Sequence, residues 1–283
     1  MTATRLPQSV PNTTAATPRV IFLLCTYNEA ENLSGMFQQL ATALPRADVL
    51  VVDDNSPDGS AGVVQAQQGF GRCVTFETRS TNAQPQASEP TRDDAAPRAI
   101  YLLQRDGKQG LGTATRTGLQ WCLQQGYDFI INLDADLSHD PLVAPRLLAA
   151  CVDTEPVCDV AVGSRYVPGG SMPGLATHRR WISRGLNTYA TRLLGLPIKD
   201  CSGSYRCYRA AALAKLDFQQ LVCPGYGFLE EILVALYRSG AKLTEVPIEF
   251  RSRSQGHSKL GLSDAWGALA VIHRLAWRRA PKG

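Results

Sequence analysis

Between Val20 and Val162 the chain repeats one pattern, a short apolar run followed by a segment with apolar residues at helical spacing. Val20–Cys25, Val49–Asp53, Ala99–Leu103, Phe129–Leu133 and Asp159–Val162 read as strands. Glu31–Leu44, Leu111–Gln125 and Leu142–Cys151 read as helices, and Pro57 opens another with Asp58 in its first turn. Strands alternating with helices of this length predict βαβ units and an α/β fold built on a mostly parallel sheet. Ligands of such sheets collect beyond the carboxyl ends of the strands. The polar strand-end residues fall there: Tyr27-Asn28-Glu29, Asp53-Asp54, Asp134-Ala135-Asp136 and Ser164-Arg165.

The richest of these ends is Asn132-Leu133-Asp134-Ala135-Asp136-Leu137-Ser138-His139-Asp140-Pro141. Two carboxylates at i and i+2, where a strand runs out into a loop, can hold a hard divalent cation, and such a cation suits a diphosphate. The competing reading makes Asp134 a loop cap and Asp136 a solvated turn residue. A second acidic strand end in a matching context, Val51-Val52-Asp53-Asp54-Asn55, favours the site.

Beyond residue 165 the rhythm changes. Arg179–Leu194 has helical spacing with basic residues at 179, 180, 184 and 192; Tyr226–Ser239 predicts a helix, Lys242–Phe250 a strand, and Leu262–Arg279 a terminal basic amphipathic helix. Charge divides along the same line. Residues 1–162 carry 11 Lys and Arg against 18 Asp and Glu, whereas residues 163–283 carry 18 against 7. An acidic half suits a metal site and a basic half suits anionic substrates or an anionic membrane surface, although uneven solvated surface produces the same imbalance. Residues 1–17 read as a loose tail and 77–97 as a solvated insertion, poor in apolar positions.

The eight cysteines form no CxxC and no Cys/His cluster with zinc spacing, and the N-terminus lacks an apolar signal region. Reduced thiols in a cytoplasmic protein are expected. No run approaches the roughly 20 apolar residues that span a bilayer. Gly110-Leu111-Gly112 lacks the third glycine of a dinucleotide fingerprint and the Gly-Lys-Ser/Thr of a P-loop, so it predicts a tight turn that lays Ala114, Gly118 and Leu119 on the sheet. NAD binding fails for want of that fingerprint, and no nucleic-acid-binding motif is present.

Nine segments occur in order: Thr26-Tyr27-Asn28-Glu29-Ala30-Glu31-Asn32-Leu33, Val51-Val52-Asp53-Asp54-Asn55-Ser56-Pro57-Asp58-Gly59, Gly110-Leu111-Gly112-Thr113-Ala114, Asp134-Ala135-Asp136-Leu137-Ser138-His139, Gly163-Ser164-Arg165-Tyr166, Ile182-Ser183-Arg184-Gly185, Cys201-Ser202-Gly203-Ser204-Tyr205-Arg206, Gly225-Tyr226-Gly227-Phe228 and Ser258-Lys259-Leu260-Gly261. Together they resemble the dolichol- or polyprenol-phosphate mannosyltransferases of glycosyltransferase family 2, over roughly residues 19–262. The resemblance implies a GT-A type fold with a Rossmann-like sheet flanked by helices: a tail at 1–17, a catalytic domain at 18–262 interrupted by 77–97, and a basic amphipathic helix at 263–283.

By position in those motifs, Cys25, Tyr27, Glu29, Val51 and Asp53 would line the nucleoside pocket, with Asp53 accepting from the base. Cys25 departs from the proline usual there; proline fixes φ and shapes that turn. For Tyr27 and Asn28, turn formation is the alternative role. Asp134, Asp136 and, more weakly, Ser138 would hold Mg²⁺ or Mn²⁺ against the donor diphosphate, with Ala135 beside them. Arg165 and Arg184 would hold the acceptor phosphate, while Arg253 and Lys259 close over donor diphosphate and acceptor. Asp136, Arg165 and Arg184 carry the catalysis in this reading. Arg184 has a solvated helix face as its alternative, and Arg206 an alternative tie between the sheet and the Asp200 loop. His139 and His257 read as loop residues.

The resemblance further implies GDP-mannose as donor and a polyprenyl phosphate as acceptor, whose tail keeps the enzyme peripheral to the cytoplasmic face of a membrane. Arg179-Arg180-Trp181-Ile182, Trp266, Trp277, Arg278 and Arg279 suit interfacial anchoring, unless their helices merely expose basic sides. A membrane-anchoring subunit is left open as a partner. The competing activities are a UDP-dependent glucosyl- or N-acetylhexosaminyltransferase, a nucleotidyltransferase, and an inactive nucleotide-binding regulator. Cys25-Thr26-Tyr27-Asn28 is not a triphosphate loop, and both metal carboxylates are present, which count against the last two.

Overall fold

The computed structural model describes residues 17–67, 72–77, 98–154, 157–251 and 262–277. The chain runs β1 (Val20–Thr26), α1 (Ala30–Ala43), β2 (Asp48–Asp53), α2 (Ser60–Gln65), β3 (Arg72–Glu77), β4 (Ala99–Gln104), α3 (Leu111–Gln124), β5 (Phe129–Asp134), α4 (Ala144–Val152), β6 (Val160–Ser164), α5 (Thr177–Leu194), β7 (Arg206–Arg209), α6 (Ala210–Leu213), α7 (Phe228–Arg238), β8 (Leu243–Pro247) and α8 (Leu262–Trp277). Among the described residues the strands form one sheet in the order β3-β4-β2-β1-β5-β7-β6-β8. All pairings are parallel except those of β7, which lies antiparallel between β5 and β6.

The apolar runs explain the layering. Side chains alternate across a strand, so Ile21 and Leu23 of β1 join a core with α3 and α7, while Phe22 and Leu24 join a second core with α1 and α4. A central parallel strand buries both faces, which is why β1 carries no polar alternation. Helix α3 lies close to the sheet because Gly118 has no side chain: a Cβ there would sit 2.4 Å from Leu23 Cδ1 and 3.2 Å from Val52 Cγ2. Gly118→Ala is expected to cost about 1–3 kcal/mol by overpacking, read as a lowered thermal midpoint; an unchanged midpoint would show that α3 shifts freely.

Several expectations needed correction. The helix expected from Pro57 starts at Ser60, because Gly59 adopts φ +85° and the Asp58 carboxylate accepts from the Ser60 N–H at 3.0 Å. A 3-10 turn over Pro141–Val143, with the Asp140 side chain accepting from the Leu142 N–H, precedes α4. Strand β8 ends at Pro247, and Phe250 instead makes an isolated bridge to His139. The strands β3 and β7 were not anticipated, and Glu77, assigned to the insertion, closes β3. The remaining residues of the 77–97 segment, and nearly all of the 1–17 tail, lie outside the described residues.

Candidate active site

The carboxyl ends of β1, β2, β4, β5 and β6 open on one edge of the sheet. On the β1–β2 side, Asp53 is fully buried and already bonded: it accepts from Thr26 Oγ1 (2.9 Å), the Ser56 N–H (2.9 Å) and Ser56 Oγ (2.6 Å). Its carboxylate closes the strand-end turn, with both oxygens turned to those partners. Val51 is also fully buried, in the core shared with α1, so its side chain offers no surface to a nucleoside. Tyr27 and Glu29 are half-buried at the rim, and Asn28 between them takes φ +61°. Glu29 accepts from Asn32 Nδ2 at 2.8 Å. Cys25 pairs in register with Asp134 across β1 and β5, and its Sγ lies 3.5 Å from Thr115 Oγ1. Burial pushes its thiol up to about 12, so it stays protonated at neutral pH.

Asp134 ends β5 with its side chain one-third exposed. Ala135 and Asp136 are buried, and the next residue, Leu137, takes φ +58°, a left-handed conformation costing a leucine roughly 1–3 kcal/mol. That strained turn returns the Ser138 N–H to Asp136 Oδ1 at 3.0 Å. Two buried polar atoms there have no hydrogen-bond partner among the described residues, Ser138 Oγ and His139 Nδ1. The latter lies 3.8 Å from Asp134 Oδ2. His139 is not the plain loop residue expected from sequence. It is 2% exposed, its ring lies 5.3 Å from those of both Tyr205 and Phe250, and burial lowers its pKa so that it is neutral. Orphaned polar atoms beside two carboxylates form an oxygen-rich cradle that fits Mg²⁺ or Mn²⁺.

Arg165, just after β6, is locked in place by Asp200. Its backbone N–H (3.1 Å) and Nε (2.7 Å) donate to Asp200 Oδ2, and Nη2 donates to Asp200 Oδ1 (2.8 Å) and Ser202 Oγ (2.8 Å). Asp200 has no exposure; burial works to raise its pKa, but Arg165 holds it below the ordinary carboxylate value. Asn187 of α5 donates to Ser202 Oγ (2.8 Å) and accepts from the Cys201 N–H (2.9 Å), and Tyr166 OH meets Ser183 Oγ at 2.6 Å. These bonds fix α5 against the Arg165 turn. Arg165, Arg180 and Arg184 thereby line one cavity of about 350 Å³. A shallower groove of about 750 Å³ continues along α5 past Arg184, Gly185 and Tyr189. Arg206 ties β7 to the Cys201 carbonyl (2.7 Å) and to Leu229 O of α7 (2.7 Å), the structural role considered for it.

The structure thus brings together Cys25, Tyr27, Glu29, Asp134, Asp136 and Ser138 at one stretch of strand ends, and Arg165 with Arg184 at another. Arg253 and Lys259, like His257, lie outside the described residues. Asp200 and Asn187 were missed as site residues, and Arg180, expected only as an interfacial anchor, also lines the cavity. Their roles depend on partners 14 to 35 residues away or on helix phase, although Asp200 could have been flagged as a charge beside the Cys201 motif. No group of three or more His, Cys, Asp or Glu among the described residues could by itself hold a metal, so bound phosphate or water oxygens must complete any coordination.

The model for glycosyl transferase family 2 matches residues 21–217. The undecaprenyl-phosphate mannosyltransferase of Micrococcus luteus is 38% identical, over 93% of this chain and 96% of its own. The polyprenol monophosphomannose synthase of Mycolicibacterium smegmatis is 35% identical, over 93% and 88%. Among solved structures, glucosyl-3-phosphoglycerate synthase from Mycobacterium tuberculosis, in complex with Mn²⁺, UDP and glucosyl-3-phosphoglycerate, superposes with TM-score 0.60 at 15% identity over 92% of this chain and 81% of its own. Mannosyl-3-phosphoglycerate synthase from Rubrobacter xylanophilus gives 0.59 at 16% over 93% and 74%. Both share the GT-A-like fold. The chain belongs to glycosyl transferase family 2 and is a glycosyltransferase.

Proposed function

We propose that the protein transfers mannose, with inversion, from GDP-mannose to a polyprenyl monophosphate at the cytoplasmic face of a membrane. The observation that carries this is the pairing of two anion-handling sites on one sheet edge, the carboxylate cradle of Asp134 and Asp136 and the cavity of Arg165, Arg180 and Arg184. A lipid monophosphate and a nucleoside diphosphate are both anionic, and their repulsion is what such a site must relieve. The names of the two 35–38% identical relatives support the same reaction.

The mechanism follows from the residues. Asp134 and Asp136, with Ser138 beside them, would hold Mg²⁺ or Mn²⁺, which would supply charge neutralisation for the departing diphosphate. Arg165 presents a guanidinium whose orientation Asp200 has already fixed, so little ordering entropy remains to be lost when a phosphate binds. The acceptor phosphate is largely ionised at neutral pH, its second pKa being about 6, so an oxygen can attack the anomeric carbon without a dedicated base. The new C–O bond forms on the face opposite the leaving GDP. Arg184 and Arg180 hold that phosphate at the mouth of the α5 groove, and Arg253 and Lys259, outside the described residues, are proposed to contact the donor diphosphate and the acceptor.

Helix α5 supports the membrane part of this reading. Its buried positions include polar Asn187 and Thr191, while Trp181 (71% exposed), Ile182, Leu186, Tyr189 and Leu193 face solvent beside Arg179, Arg180, Arg184 and Arg192. An apolar strip flanked by cations suits the boundary of an anionic bilayer. Tyr189 OH meets His273 Nε2 of α8 at 2.8 Å, and Trp277 at the end of that helix is 83% exposed. No helix of the described residues is long and apolar enough to cross a membrane. Residues 18–262 form the catalytic unit in this reading and 263–283 a basic amphipathic helix; a membrane-anchoring subunit is compatible with it.

Incubating the protein with Mn²⁺, polyprenyl phosphate and a panel of radiolabelled nucleotide-sugars is expected to give lipid-extractable label from GDP-mannose. Label from a UDP-sugar alone would refute the donor. Trp181→Ser with Ile182→Ser is expected to weaken cosedimentation with anionic vesicles at least tenfold, since two large apolar side chains leave the interface. Wild-type cosedimentation should fall with added salt; equal binding by wild type and variant would remove α5 from the membrane contact.

A further inference from the structure

The six-residue turn after β4, Arg105 to Gly110, is held more firmly than an exposed turn requires. Arg105 Nε lies 2.6 Å from Asp54 Oδ1, with both side chains almost wholly buried. Asp54 Oδ2 accepts from the N–H groups of Gln109 (3.0 Å) and Gly110 (3.2 Å), and both terminal nitrogens of Arg105 donate to Thr113 Oγ1 (3.1 and 3.0 Å). Burying an ion pair carries a desolvation cost that good geometry only offsets, so a turn built on one is under strict positional demand. What the turn presents is Lys108, exposed at its tip, with Nζ 4.4 Å from the ring centroid of Tyr27.

We propose that Lys108 is a specificity-determining residue that reads the keto edge of the donor's nucleobase, leaving the Tyr27 ring for that edge when the nucleotide binds. This rests on the reading that a nucleotide-sugar lies across these strand ends. Strand order supplies the direction. β4 is three places from β5, roughly 14 Å at the spacing of neighbouring strands, with β2 and β1 between. With the acceptor phosphate in the Arg165, Arg180 and Arg184 cavity on the β6 side, a diphosphate at Asp134 and Asp136 leaves the β1, β2 and β4 side for its base, the side on which Lys108 stands. The two carboxylates at the end of β2 are already engaged, Asp53 by Thr26 and Ser56 and Asp54 by Arg105 and the turn. A lysine ammonium carries donors only. It complements O6 and N7 of guanine or O4 of uracil, whereas the amino groups of adenine and cytosine are themselves donors and are disfavoured.

The test is equilibrium binding of GDP, ADP, UDP, CDP and inorganic pyrophosphate, each with Mn²⁺, to wild type and Lys108→Met. Lys108 is exposed, so the variant folds. Wild type is expected to prefer GDP to ADP and UDP to CDP. In the variant, affinity for the keto bases should fall about tenfold, the worth of one charged hydrogen bond, with ADP, CDP and pyrophosphate unchanged. Equal loss for all five ligands would place Lys108 on the diphosphate and overturn the proposal, as would no loss for any. Wild-type preference for UDP over GDP would refute the guanine donor alone, because the UDP-to-CDP ratio still judges Lys108. Wild type binding no nucleotide would refute the nucleotide-sugar reading and this proposal with it.

Discussion

Asp136→Ala is expected to reduce mannosyl transfer by about 10³-fold or more while the protein stays folded. A cation at a leaving diphosphate is worth several kcal/mol of transition-state stabilisation, and each 1.4 kcal/mol is a factor of ten. The structural role of Asp136 is small by comparison: it accepts the Ser138 N–H, so its loss costs about 1 kcal/mol of stability. Initial rates and thermal melting measured side by side separate the two. Transfer at the wild-type rate would falsify the assignment of Asp136 to the metal. Loss of Mn²⁺ binding with a melting midpoint lowered by no more than about 2–4 °C is the supporting pattern.

Asp200→Ala is expected to damage stability and chemistry together. It strands Arg165, 13% exposed, without its counter-charge and removes the acceptor of three Arg165 bonds and of the Gly203 N–H. Breaking a buried pair from one side costs about 3–5 kcal/mol, readable by urea unfolding at neutral pH. A loss below about 1 kcal/mol would mean that water reaches the cluster and that the pair is not buried in solution. The pH dependence has a definite sign. The folded Asp200 pKa is depressed, so its contribution is complete above the unfolded value near ~3.9 and disappears as pH falls through the lower folded value. In the Ala variant that acid-limb slope should flatten.

The central strands were legible because a parallel strand buried on both faces must be apolar throughout, as Ile130-Ile131 and Val49–Val52 are. Strand β7 was not, because Arg206-Cys207-Tyr208-Arg209 puts a fully buried arginine where an apolar residue is expected. That arginine is tolerated since the carbonyls of Cys201 and Leu229 accept hydrogen bonds from its terminal nitrogens, a fact that no local pattern encodes. The site divides in the same way. Asp134 and Asp136 could be found from their place at a strand end. Asp53 looked equally available, yet Thr26 and Ser56 fold back onto it. Arg165 was found by motif, but not the carboxylate that aims it.

In the proposed reaction the outward-facing strip of α5 would set the terms on which this catalyst meets its acceptor. An enzyme docked by that strip samples a film, so its rate answers to the number of acceptor molecules per unit area of bilayer and not to their molarity in the tube. Inert phospholipid added at constant total acceptor should then slow turnover by dilution within the plane, whereas doubling the volume of buffer should leave it nearly untouched.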